Sequence, residues 1–220
     1  MRYITERELR DQFASGVPEN YQVPAECMLT PAARQYLLDL RLYRHPDTRT
    51  KASSPAGAEK PEHMTNLNAH EMVCKDHPRI VLRGKLDTLE SEILVLLTEC
   101  SSEWRAPLQD ALCLTRAILA AEVREAPLQP WKLDGMDAEE VHRCSHHPEQ
   151  FGFPGHILPA AEHGRTAAQF NRLRALTRET ELAAVHAFWN GQRVGREDLI
   201  KALNRLSSYF YVLQLRAAHR

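Results

Sequence analysis

The stretch beyond residue 76 constrains this chain most, because apolar residues recur there at three- and four-residue intervals through successive long segments. Leu82, Leu86, Leu89, Ile93 and Leu97 make one stripe, and Leu108, Leu112, Thr115, Leu119 and Val123 make a second. That spacing gathers side chains on one face of an α-helix. The first helix is expected to begin near Asp76, the second to run from near Trp104 to Arg124. Asp137 can cap a short helix carrying Val141. After the loop QFGFPGHILP, a long helix is expected from about Ala160 to Trp189, stopped by Gly191, and a last one from about Arg196 to Ala218. No segment alternates strictly, as a half-buried strand would. Helices of this length, joined by short connections, must bury their stripes against one another. The expected fold over residues 65–220 is therefore all-α, an up-and-down bundle of four to five helices.

Two smaller parts precede the bundle. Thr5-Glu-Arg-Glu8 reads as a capping box, with Leu9 and Phe13 following on one face. Thr30 precedes Pro31, which suits the first turn of a second helix carrying Leu37, Leu38 and Leu40. Residues 1–43 are expected to form a small N-terminal module, helical or of α/β type. From Arg44 to His63 the chain has three prolines and nothing apolar larger than alanine, so residues 44–64 read as a flexible linker.

Charge and cysteine usage narrow the function. With 28 basic and 29 acidic residues there is no global field to hold nucleic acid or an anionic membrane, so an anionic ligand must meet a local cluster. No apolar run reaches the length of a membrane span, and the polar opening MRYITERELR does not resemble a signal peptide. A cytoplasmic protein is expected. The five cysteines are scattered without a CxxC pair, which suits a reducing compartment and argues against a zinc ribbon. They are expected to be small, mostly buried residues.

On the long helix Arg174, Arg178 and Glu181 fall at i, i+4 and i+7, with Thr177 beside them. Two guanidinium forks on adjacent turns match the geometry of a polyphosphate, while the same spacing also allows a solvated face with an Arg178–Glu181 ion pair. In the last helix, Asn204 sits among apolar positions that leave it near the packed side. It could bridge helices or face a ligand. His142 and His146, with Cys144 and His147 near, stand at the spacing of a helical chelate, but a cluster that caps and packs is the favoured reading and no metal is assigned to it.

Four runs in order carry a resemblance: KDHPRIVLRGKLDTLES, HILPA, RALTRETEL and ALNRLSSYFYVL. Together they resemble the corrinoid adenosyltransferases. YITERELR, LTPAARQYL and EEVHRCSHHP resemble the ethanolamine-utilisation branch of that family in particular. The resemblance implies transfer of the 5′-deoxyadenosyl group of ATP, with Mg2+, to reduced cobalamin, releasing triphosphate and serving cobalamin-dependent ethanolamine catabolism. It implies a homotrimer with sites between subunits. It also implies, as possible associates, a cobalamin-dependent lyase, a reductase or a bacterial microcompartment shell.

Residue by residue, Lys75 matches a lysine on the ATP phosphates, and Arg178 and Asn204 match nucleotide contacts. Asp87 and Arg174 match a salt bridge across the subunit interface, and Glu181 matches the glutamate of the arginine helix. Asp87, Arg174 and Arg178 are thus the candidates linked to catalysis. Phe151, Phe153, Ile157 and Leu158 are candidates for the corrinoid wall, and His156 falls where the propanediol-utilisation branch has an aromatic near the corrin.

The chain also departs from the pattern. The glycine-rich phosphate loop of the propanediol branch is replaced by AEKPEHMT, and Glu179 and Leu182 replace basic residues. Many ethanolamine-branch members carry a cysteine-rich metal motif in the linker, whereas this linker has His45 and His63 and no cysteine, so no cysteine-ligated metal is expected. These losses leave an alternative, a non-catalytic corrinoid- or nucleotide-binding component of a microcompartment.

Overall fold

The computed structural model describes residues 2–14, 16–18, 21, 23–24, 27–40, 42 and 60–219, in two compact units, 1–53 and 54–220. Most of the expected linker, residues 44–59, lies outside the described residues.

In the first unit, β1 (Arg2–Ile4) leads into α1 (Glu6–Gln12), and β2 (Cys27–Leu29) into α2 (Pro31–Asp39). The capping box forms as its sequence dictates. Glu8 N–H donates to Thr5 Oγ1 at 3.3 Å, and Thr5 N–H donates to Glu8 Oε2 at 2.8 Å. β1 and β2 pair in parallel, with Ile4 opposite Leu29. Ile4, Leu9, Phe13, Leu29, Ala33, Leu37 and Leu42 close a small core. Three-residue strands are too short to show alternation, so the pairing could not be read from the chain.

The second unit opens with a hairpin that the sequence reading lacks: β3 (Met64–Asn66) pairs antiparallel with β4 (Met72–Cys74). Helices α3 (Pro78–Glu99), α4 (Ser102–Val123), α5 (Ala138–His146), α6 (Gly164–Phe188) and α7 (Glu197–Ala218) follow. α3 packs on α4 and α6, and α7 packs on α6, α4 and α5. Four long helices thus form a closed, antiparallel ring, with α5 laid on α7. Its core includes Leu82, Leu86, Leu89, Leu108, Leu112, Phe170, Leu203, Leu206 and Phe210, with Trp104 set edge-on to Phe170 at 5.0 Å.

Three details depart from the expected helices. The α3 stripe ends on buried Leu96, with Leu97 half-buried, and in α4 Ile118 is buried while Leu119 is half-buried and Val123 is 43% exposed. A strict seven-residue repeat drifts about 20° per heptad around a straight helix, which moves the buried line onto neighbouring positions. α6 begins at Gly164, after a 3₁₀ turn at Ala161–His163, because the chain is extended at Ala160. Only Cys144 of the cysteines is buried; Cys27, Cys74 and Cys100 are half-buried and Cys113 is exposed.

Candidate functional site

A ladder of ion pairs ties α3 to α6. Lys85 meets Glu179 at 2.9 Å, Glu92 meets Arg172 at 2.6 Å, and Glu99 meets Arg165 at 2.6 Å. Each rung is two helical turns from the next on both helices, with opposite chain directions, which fixes an antiparallel register. Exposed pairs of this kind contribute about 0–1 kcal/mol each, so they align the helices more than they stabilise them. Glu179 is thereby accounted for as the partner of Lys85.

Between these rungs lie charges that the protomer leaves open. Asp87 and Arg178 are exposed, and neither has a hydrogen bond or ion pair among the described residues. The Arg178–Glu181 pair allowed by spacing does not form. Glu181 instead accepts from Asn204 Nδ2 at 3.0 Å, and Asn204 Oδ1 accepts from Arg205 at 2.6 Å. Asn204 is exposed, flanking the packed face instead of lying on it, because Leu203 and Leu206 take the buried positions. Arg174 is half-buried and directs Nε and Nη2 to Asn171 Oδ1 at 3.1 and 2.9 Å. Within the protomer it has no ion pair with Asp87. Thr177 is fully buried, donating to Leu173 O.

Lys75 is exposed just before α3. The β3–β4 hairpin holds it there, since its N–H donates to His63 O at 2.8 Å, and His77 caps the helix by accepting from Arg79 N–H. The positive end of the α3 dipole and the Lys75 ammonium therefore occur together, an arrangement that favours anions. Below it lies a network absent from the sequence reading. Glu122 is fully buried and accepts from Arg79 Nε and Arg83 Nε, each at 2.5 Å, while Arg79 Nη1 reaches Glu125 at 2.6 Å. Nothing in the local sequence of α4 announces this, since Glu122 simply continues an apolar stripe.

The loop before α6 is organised by Tyr211, also missed. Its hydroxyl accepts from Ile157 N–H at 3.1 Å and contacts His156 Nδ1 at 3.0 Å, with the two rings stacked at 5.9 Å. His156 Nε2 lies 3.2 Å from His146 O. One arrangement satisfies all three contacts: the tyrosine O–H donates to Nδ1, and neutral His156 donates from Nε2 to the carbonyl. Phe153 is half-buried beside His219, whereas Phe151 is 42% and Leu158 is 85% exposed. These side chains make no closed wall in the protomer. Tyr211→Phe is expected to free the Ile157 N–H and His156, loosening this loop; hydrogen exchange at residues 153–158 should rise severalfold with little change in melting temperature.

The His142–His146 pair stacks at 4.2 Å, and His142 Nδ1 is buried without a partner. No group of three metal-binding side chains occurs among the described residues. Burial, helped by the Arg205 cation, pushes His142 below the usual histidine value of 6.5. In the unfolded chain it regains that value and takes the proton first. Its contribution to stability is therefore complete above about pH 6.5 and lost as pH falls. Wild type is expected to lose more melting temperature between pH 7.5 and 5.5 than His142→Gln does.

The closed ring of four antiparallel helices, with an arginine-bearing face on α6 and a lysine at the head of α3, defines a bundle suited to a polyphosphate ligand. The profile of the cobalamin adenosyltransferases matches residues 58–217, and the chain belongs to that family. It is 31% identical to the corrinoid adenosyltransferase EutT of Salmonella typhimurium (strain LT2) over 243 aligned positions, covering 97% of this chain and 91% of the relative. With EutT of Escherichia coli (strain K12) the identity is 32% over 244 positions, with the same coverage. Among solved structures, a variant PduO-type ATP:corrinoid adenosyltransferase from Lactobacillus reuteri complexed with cobalamin and ATP shares the fold. Its TM-score is 0.58 at 18% identity, covering 71% of this chain and 89% of that one. Another variant of that enzyme, complexed with ATP, gives 0.55 at 19% identity, covering 71% and 90%.

Proposed function

We propose that this protein transfers the 5′-deoxyadenosyl group of ATP to the reduced cobalt of cobalamin, forming adenosylcobalamin and triphosphate for cobalamin-dependent ethanolamine catabolism. The observation that carries the proposal is the open charge on the α3/α6 face. Asp87, Arg178 and Lys75 have no side-chain partners while the surrounding charges on the seam are paired. Unpaired charges beside a register-fixing ladder suit groups that meet something outside the protomer. The relationship to corrinoid adenosyltransferases supports reading that partner as ATP and a neighbouring subunit.

Cob(I)alamin is itself a strong nucleophile, so the protein need not provide one. The cobalt electron pair attacks the 5′ carbon and becomes the cobalt–carbon bond, while the carbon–oxygen bond breaks and triphosphate leaves with the electrons of that broken bond. The protein aligns the two reactants and offsets charge on the leaving group. Arg178 holds phosphate oxygens with its fork, Lys75 adds a point charge, and Asn204, fixed by Glu181 and Arg205, orients the nucleotide. Mg2+ travels with the phosphates, since such ions are held by phosphate oxygens and one or two carboxylates more often than by a full protein cage.

Asp87 and Arg174 pair between subunits of a homotrimer, which explains why they do not pair within one. Phe151, Phe153, Ile157 and Leu158 become a water-excluding wall when corrinoid and neighbour are present, with His156 held by Tyr211 at its edge. The linker has no cysteine, so no thiolate-bound metal is assigned to it. No described helix is long and apolar enough to cross a membrane; the site of action is the cytoplasm or a microcompartment. A cobalamin-dependent lyase, a reductase or a microcompartment shell protein is the proposed associate of the protein.

Anaerobic incubation with chemically reduced cobalamin, ATP and Mg2+, followed by absorbance, should show adenosylcobalamin accumulating with stoichiometric triphosphate. Binding of both substrates without conversion would instead favour a carrier.

A further inference from the structure

The turn at Ala161–His163, the first turns of α6 and Gln214 of α7 line an open cleft of about 210 Å3. Alanines leave the space open, and no charged side chain lines it. Gln214 is only 1% exposed, yet its Oε1 has no hydrogen-bond partner. Nδ1 of His163, on the same wall, is also buried without one. Asn171 completes the polar set: Arg174 occupies its Oδ1 and leaves its amide N–H groups without a partner. Buried polar atoms are paired in nearly all native structures, so two orphans on residues that line one cleft call for a partner that enters it and reaches them.

Size and charge restrict what that occupant is. The volume exceeds that of a water molecule, about 30 Å3 in the liquid, severalfold. An uncharged wall does not select an ion. Gln214 Oε1 needs a donor and the Asn171 amide an acceptor, while His163 Nδ1 serves either role according to its tautomer. A primary carboxamide offers both in one planar group. The periphery of the corrin ring carries such groups on its acetamide and propionamide arms, and the cleft begins at Pro159, directly after the proposed corrinoid wall. We infer that Gln214, His163 and Asn171 receive a primary carboxamide arm of the corrinoid substrate, an inference that rests on the adenosyltransferase reading. Filling the cleft would also fix Asn171, and through it the Arg174 guanidinium.

The test compares cobinamide, which keeps the amide arms, with heptamethyl cobyrinate, whose ester arms accept but cannot donate hydrogen bonds. Gln214→Leu removes the acceptor, and Ala168→Leu, at an exposed position on the cleft, fills the space without touching the core. Each is expected to raise the KM for cobinamide about tenfold, the scale of one lost hydrogen bond. The KM for ATP should stay within about twofold, and the preference for amide over ester arms should collapse in Gln214→Leu. If Gln214→Leu does not fold, Ala168→Leu decides the matter alone. Unchanged cobinamide KM in folded variants means that the cleft holds only water and overturns the inference. Failure of the unsubstituted protein to adenosylate either corrinoid is a different result, which removes the adenosyltransferase reading and this inference with it.

Discussion

Arg178→Ala is expected to lower kcat/KM for ATP by about 10²–10³ while leaving the melting temperature within a degree or two. The size follows from what loss of one preorganised donor on developing charge costs elsewhere, about 3–4 kcal/mol. The silence in stability follows from geometry: Arg178 is exposed and takes part in no hydrogen bond or ion pair among the described residues, so truncation leaves nothing buried unpaired. Arg178→Lys should recover only part of the loss, because an ammonium restores the charge and not the planar fork that grips two phosphate oxygens. Glu179→Ala, one residue on, is the control. It breaks a surface pair with Lys85 and should change activity little, within the spread expected of exposed pairs. Wild-type kcat/KM in Arg178→Ala would show that the open face of α6 does not meet the triphosphate.

The contrast between Arg178 and Glu179 also shows where the sequence could be read and where it could not. Helical periodicity was enough for the bundle, because burying a stripe is a property of one helix and its 3.6-residue turn. It fixed the identities of Leu82, Leu86, Leu89 and Ile93 as core residues. The last turn of each stripe escaped, since the drift of a straight helix is decided by the neighbour. Register was legible in principle: Lys85, Glu92 and Glu99 face Glu179, Arg172 and Arg165 at equal intervals, yet a heptad of charges means a ladder only once the two helices are known to be partners. The candidate site followed from resemblance more than from physics. Spacing placed Arg174, Arg178 and Glu181 on one face but offered the wrong partner for Glu181, because Asn204 lies on another helix. Tyr211 and Glu122 carried no local signal at all, since their roles arise from contacts 54 and 43 or 39 residues away.

Glu122 should prove the least replaceable side chain of the bundle. It is a fully buried carboxylate between Arg79 and Arg83, whose side chains are themselves only 17% exposed. Arg79 additionally donates to the Glu122 carbonyl at 3.0 Å. Glu122→Ala leaves two guanidiniums facing an apolar gap, with only Glu125 and the carbonyl of residue 122 still bound to Arg79, and removal of one member of a buried ionic set costs about 3–5 kcal/mol. For a chain of this size that corresponds to a fall of about 10 °C in melting temperature. Glu122→Gln keeps the shape and one acceptor but turns an N–H toward an arginine, so an intermediate loss is expected. The joint replacement of Glu122, Arg79 and Arg83 by methionine tests the cause: if uncompensated charge is the penalty, the triple variant should melt well above Glu122→Ala despite more substitutions. Both arginines lie in the opening turns of α3, shortly after Lys75, so the network also sets where that helix begins. Glu122→Ala should therefore raise the KM for ATP even at temperatures where the protein remains folded, whereas a loss of stability with ATP binding intact would confine the network to the core.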